Sequence, residues 1–188
     1  MPGYNPKIHH RRSIRMKGYD YSLEGAYFIT ICTHQRHNLF GVVENGTMQL
    51  NPYGIIASEQ WIRLRKRFRQ SNFENYVIMP NHIHGIICIV RGVGEEFDQF
   101  SPGNQPLRPY NIPNVTPGSL GAIVRAYKAS VAFRINAIRG SATPPVWQRN
   151  YHDHIIRNEN EFQQIKDYIE ANPTTWTDDR FYAPEILK

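Results

Sequence analysis

The sequence predicts an α+β domain, an antiparallel sheet with helices packed mainly on one face. Runs of β-branched and aromatic residues alternate with amphipathic segments of helical length. The connections between them are short, which favours an antiparallel sheet under a helical layer. At 188 residues, 40% of them apolar, the chain can bury one real core but not a second full domain. The net charge of +6 favours a polyanionic partner, although charge bears on binding rather than fold.

Residues 1 to 24 read as a basic arm with Lys7, Arg11, Arg12, Arg15 and Lys17. Tyr27 to Thr33 is a strand by its β-branched and aromatic content. Gly41–Glu44 and Thr47–Leu50 form a hairpin through Asn45-Gly46, the preferred centre of a type I′ turn. A helix follows Asn51-Pro52 to about Arg69, with Ala57, Trp61, Leu64 and Phe68 as its apolar stripe.

Residues 73 to 79 form another strand, and Pro80-Asn81 breaks it before a second one. That next strand, His82-Ile83-His84-Gly85-Ile86-Ile87-Cys88-Ile89-Val90, carries two histidines in an otherwise apolar run. Alternation puts His82 and His84 on one face and Ile83 on the other, so the imidazoles stand side by side as a ready pair of metal ligands.

Residues 91 to 117 are rich in Gly, Pro, Asn and Gln and read as a long loop. A second helix spans about 119 to 138, with Leu120, Val124, Tyr127, Val131 and Ile138 on one face. A strand candidate covers 147 to 156. The last helix starts at Asn158, with Glu161 reaching back as in a capping box, and ends before Pro173. Phe162, Ile165 and Ile169 are its apolar stripe; Tyr168 and Asn172, four apart, neighbour each other beside that stripe. The domain is expected to span 25–177, with 178–188 as a tail.

Both cysteines, Cys32 and Cys88, sit in strand segments and read as buried reduced thiols, which fits a cytoplasmic protein. No apolar stretch is long enough to span a bilayer, so no membrane role is expected.

His-apolar-His after Met79-Pro80-Asn81, then Trp147-Gln148, then Tyr151-x-x-His154-Ile155-Ile156-Arg157, then Tyr168-Ile169-x-x-Asn172-Pro173 form an ordered set of motifs. In that order they resemble the single-tyrosine HUH transposases, most closely the branch of REP-associated tyrosine transposases. The resemblance covers roughly residues 20 to 177. It implies a ferredoxin-like fold and a metal-dependent endonuclease and strand transferase that nicks and rejoins single-stranded DNA at hairpin-associated sites through a 5′-phosphotyrosine. It implies that His82 and His84 hold a divalent metal, Mg²⁺ or Mn²⁺, with help from Asn172, where insertion-sequence members carry a glutamine. Tyr168 matches the nucleophile. The implied partner is single-stranded DNA with a hairpin, a REP-like element or an insertion-sequence end; relatives occur as monomers and as dimers, so a homodimer stays open.

The chemistry suits these residues. A cation on the histidine pair would neutralise a phosphodiester's charge, and Tyr168, an ordinary phenol with a pKa of about 10, needs that help or a nearby base. For DNA contacts the candidates are Arg63 and Arg67 in the first helix, Arg125 and Lys128 in the second, and His154 and Arg157. Bland readings stand beside these. The basic run on the first helix reads equally as a solvated face, and His152-Asp153-His154 reads as surface or DNA contact rather than a second metal site. Tyr127 lies on an apolar stripe, so packing explains it. Tyr110, Trp147 and Trp176 fit base stacking or core packing alike. The rival functions are a non-catalytic nucleic-acid-binding module and a metal-dependent hydrolase that uses water.

Overall fold

The computed structural model describes residues 20–73, 75–90 and 116–182. The proposed arm up to residue 19, nearly all of the 91–117 loop including Tyr110, and residues 183–188 lie outside the described residues. In chain order the elements are β1 (Gly25–Cys32), β2 (Gly41–Glu44), β3 (Thr47–Leu50), α1 (Pro52–Arg67), β4 (Ser71–Asn72), β5 (Tyr76–Ile78), β6 (His82–Ile89), α2 (Leu120–Arg139), β7 (His152–Ile156) and α3 (Glu159–Ala171).

The main sheet runs β7-β1-β6, with the interrupted strand β4 and β5 along the outer edge of β6, and every pairing is antiparallel. With α1 between β1 and the β4/β5 edge, and α2 between β6 and β7, this is the split β-α-β-β-α-β arrangement of ferredoxin-like folds. Of the expected 73–79 strand only Tyr76–Ile78 is paired, and a further short strand, Ser71–Asn72, precedes the expected span. The expected 147–156 strand is shorter: only His152–Ile156 pairs along β1, while Trp147 makes a single bridge to Thr33.

Alternation divides the sheet into two apolar faces. Tyr27, Ile29 and Ile31 of β1 and Ile83, Ile87 and Ile89 of β6 pack with Trp61 and Leu64 of α1 and Val124, Tyr127 and Val131 of α2. At about 1.5–3 kcal/mol for each fully buried large apolar side chain, this is the main core. The second face, with Ala26, Phe28, Ile86 and Ile156, is apolar over half its length and is covered by α3 through Phe162, Ile165 and Ile169. Two helices thus share one face and the third lies on the other.

Local rules account for the element ends. Asn51 caps α1 by accepting from the backbone of Tyr53 and Gly54, with Pro52 in the first turn. Asn158 Oδ1 accepts from Glu161 N, and Glu161 Oε2 accepts from Arg157 N, a reciprocal cap. Asn45 and Gly46 both have positive φ (51° and 73°), as a type I′ turn requires. On α2, Ile138 is 60% exposed instead of buried, because Ile135, one turn after Val131, completes the stripe. Tyr21, assigned to the arm, is buried in the main core. Trp147 and Trp176 are buried too, which favours their packing reading over base stacking. Both cysteines are free thiols, Cys32 buried and Cys88 partly so.

Gly85 faces the main core directly under Trp61, where an added Cβ would lie 2.4 Å from the indole ring. Gly85→Ala is therefore expected to destabilise the fold by about 1–3 kcal/mol, read as a lower denaturant midpoint at unchanged slope.

Candidate active site

The site lies on the α3 side of the sheet, at the end that α3 leaves uncovered. Register puts His82 opposite Cys32, His84 opposite Thr30, and Thr30 opposite His152. His82 and His84 are both fully buried, with ring centroids 4.4 Å apart. The expected side-by-side pair is thus present.

Each imidazole is held through Nδ1. Asn81 Nδ2 donates to the carbonyls of Phe181 (2.8 Å) and Arg36 (3.3 Å), which fixes the orientation of its amide. Its Oδ1 therefore faces His82 Nδ1, at 2.9 Å, and that nitrogen must carry the hydrogen. In a neutral ring this leaves Nε2 as a bare lone pair, and His82 Nε2 is buried without a partner among the described residues. His84 Nδ1 pairs with Thr30 Oγ1 at 2.9 Å, and its Nε2 lies 3.2 Å from the hydroxyl of Tyr168.

Burial, followed by the guanidiniums of Arg180 and Arg36, pushes His82 down to about 3. Burial and then the neighbouring ring hold His84 well below its ordinary value. Both rings are neutral at pH 7, the form that ligates cations.

Tyr168 and Asn172, one turn apart at the end of α3, converge on one carboxylate. Asp179 Oδ2 accepts from the Tyr168 hydroxyl (3.2 Å) and from Asn172 Nδ2 (3.0 Å), while Oδ1 accepts from Phe181 N (2.6 Å). Asn172 is fully buried and its Oδ1 has no partner among the described residues. Tyr168 is 39% exposed, and its phenol is pushed up to about 12 by burial and then by the Asp179 charge. Phe28 backs the arrangement, stacked on His84 at 5.1 Å and edge-on to Tyr168 at 6.1 Å.

Ligand atoms of His82, His84 and Asp179 all lie within 4.8 Å of one another. Two neutral imidazoles and a carboxylate, with the orphaned His82 Nε2 and Asn172 Oδ1, make a donor set that fits a divalent cation. The sequence reading missed Asp179, having set 178–188 aside as a tail. The signal was there: Trp176 and Phe181 flank it, and both are buried against Cys32 and Met79.

The remaining candidates scatter. His154 lies on the same sheet face and pairs with Glu161 at 2.6 Å, and Arg157 is exposed at the start of α3. Arg63, Arg67 and Arg125 are exposed on α1 and α2, the layer across the sheet from the histidines. Lys128 turns its ammonium to the carbonyls of Gln148, Arg149 and Asn150, and burial lowers it to about 8. Tyr127 is fully buried with its hydroxyl on Ala57 O, a packing residue.

No protein-family model matches the chain. Among solved structures, it resembles a REP-associated tyrosine transposase bound to a REP hairpin, with a TM-score of 0.53 and 17% identity over 86% of this chain and 74% of that one. A transposase candidate from Deinococcus radiodurans aligns with a TM-score of 0.45 and 16% identity, covering 83% of this chain and 95% of that one. Fold and site together thus define a ferredoxin-like α+β protein, sharing its fold with that REP-associated transposase and carrying a histidine-pair site. More particularly, the chain belongs to one family with an uncharacterized protein of Haemophilus influenzae, 44% identical over 183 residues, 96% of this chain and 97% of the relative.

Two outcomes follow from the buried rings. A histidine whose folded pKa lies below its unfolded value near 6.5 binds fewer protons when folded. Its stabilising effect is therefore complete above pH 6.5 and is lost as pH falls toward about 3. The unfolding free energy of the protein in chelator is expected to drop between pH 6.5 and 5, by up to about 1.4 kcal/mol per pH unit for each ring. His82→Gln should shrink that slope in denaturant titrations. Separately, Asn81→Leu removes the acceptor at His82 Nδ1; long-range ¹H–¹⁵N spectra are expected to show His82 leaving the Nδ1–H tautomer.

Proposed function

We propose that this protein is a metal-dependent, single-tyrosine DNA endonuclease and strand transferase acting on single-stranded DNA beside a hairpin. The observation that carries the reading is the approach of the Tyr168 hydroxyl to His84 Nε2, 3.2 Å within one chain. Next to it stands a donor set suited to a cation. The shared fold with a transposase bound to a REP hairpin supports the substrate class.

His82, His84 and Asp179 would hold the ion, Mg²⁺ or Mn²⁺, with Asn172 Oδ1 as a further oxygen donor. Bound there, the cation supplies Lewis acidity that neutralises and orients a phosphodiester. The chain's own residues do the rest. Asn81 and Thr30 hold each ring through Nδ1, so both Nε2 atoms stay aimed away from the sheet backbone. Tyr168 Oη attacks phosphorus while its proton passes to Asp179 Oδ2, the carboxylate oxygen it already bonds. The P–O3′ bond breaks, the 3′-oxygen takes up a proton, and the DNA is left joined to Tyr168 through its 5′-phosphate. Bond energy is conserved in that ester, so rejoining needs no nucleotide cofactor.

The test is incubation with hairpin-bearing single-stranded DNA and Mn²⁺, followed by denaturing electrophoresis. A denaturation-resistant protein–DNA adduct is expected; Tyr168→Phe should bind the DNA and form none. Asp179→Asn, of nearly the same shape, should weaken Mn²⁺ binding at least about tenfold by calorimetry. Cleavage by Tyr168→Phe would hand the reaction to water, and binding without cleavage by the parent protein would leave a binding module.

A further inference from the structure

Beside the histidine pair lies a cationic feature that no step above uses. Phe181 packs its ring on His82, centroids 4.7 Å apart, and carries two guanidiniums: Arg180 Cζ at 4.6 Å and Arg36 Cζ at 5.0 Å from its centroid. Arg36 and Arg180 are both exposed. Among the described residues the only arginine–carboxylate ion pair is Arg134–Glu59, so no described acid pairs with either guanidinium. Two like charges on one ring repel each other, and an arrangement of this kind is relieved by an anion between or above them.

Their placement is specified. Arg36 follows Gln35, and both have left-handed backbones (φ 57° and 53°), rare for side chains of that size. The Arg36 carbonyl and the Phe181 carbonyl both accept from Asn81 Nδ2, the amide that also orients His82. One buried side chain thus sets the two arginine-bearing segments relative to the candidate metal ligands. The Phe181 ring lies against both imidazoles, 4.7 Å from His82 and 5.9 Å from His84 between centroids, so the two guanidiniums over it stand beside the site.

We infer that Arg36 and Arg180, stacked on Phe181, form a phosphate clamp that grips the backbone of the single strand at the histidine pair. The inference deepens the proposed function and rests on its substrate class. It moves the grip from the helix cations Arg63, Arg67 and Arg125 to the α3 side of the sheet. Guanidiniums suit the task because their planar forks pair phosphate oxygens two at a time while stacking on a ring.

The experiment measures binding of the full-length protein to a fluorescein-labelled, hairpin-bearing single strand by anisotropy across a salt series. Each phosphate contact to a single strand contributes about 0.7 to the slope of log affinity against log salt. Arg36→Ala and Arg180→Ala are each expected to lower that slope by about this amount and to weaken binding severalfold at fixed salt. Arg63→Ala should do less than half as much, and thermal melts should match the parent because all three side chains are exposed. An unchanged slope in both clamp variants, or a larger loss in Arg63→Ala, overturns the inference. Slope loss without any adduct in the Mn²⁺ assay leaves the clamp standing and refutes the cleavage chemistry alone. A parent protein that does not bind the strand overturns both.

Discussion

The histidine end of this molecule hangs on the side chain of Asn81. Fully buried, it spends its amide on the carbonyls of Arg36 and Phe181 and its oxygen on His82, while its own backbone carbonyl accepts from Thr33 N and Oγ1. Three segments far apart in sequence meet at this one residue: the turn after β1, the start of β6 and the stretch after α3. Loss of the side chain would strand several buried polar groups at about 1–3 kcal/mol each, which is why the arrangement is rigid rather than merely close. Pro80, just before it, reinforces the junction by accepting from Leu39 and Phe40.

Strand β6 serves two masters through the period of two. Ile83, Gly85 and Ile87 face the densely packed α1/α2 layer, where Trp61 leaves no room for a side chain at position 85. His82 and His84, interleaved with them, inherit that rigidity on the other face without having to pack a helix themselves. α3 seals the far half of this face with Ile169 and then presents Tyr168 and Asn172 beyond the seal. The polar groups at one end of this face are thus positioned by apolar contacts at the other.

Most of this was legible in the chain, for identifiable reasons. Alternation predicted the shared face of His82 and His84, helical spacing predicted the stripes of α1 and α3, and Asn45-Gly46 predicted its turn. Ile138 was misplaced because two helical positions, 135 and 138, compete for the end of the α2 stripe, and only the neighbouring helix decides. The cations of α1 and α2 could be counted from the sequence, but which side of the sheet they occupy depends on tertiary packing. Asp179 escaped because it belongs to no regular element; only the aromatics around it, Trp176 and Phe181, marked that stretch as packed.

Asp179 ties the electrostatics together. Its charge raises the Tyr168 phenol, already raised by burial, to about 12, so the hydroxyl stays protonated at neutral pH. The same carboxylate stands with His82 and His84 in the candidate donor set. Within the proposed reading, a cation shared by these ligands would draw off the negative charge that now disfavours a phenolate. Proton loss from Tyr168 would then become easiest only where a cation, and the phosphate it recruits, are in place. Arg36 and Arg180 push the same way: after burial, their charges add to what keeps His82 neutral, and Arg180 acts likewise on His84. Under that same proposal, a phenol kept inert until substrate arrives suits strand breakage, since a tyrosine activated without substrate would gain nothing and would be open to side reactions.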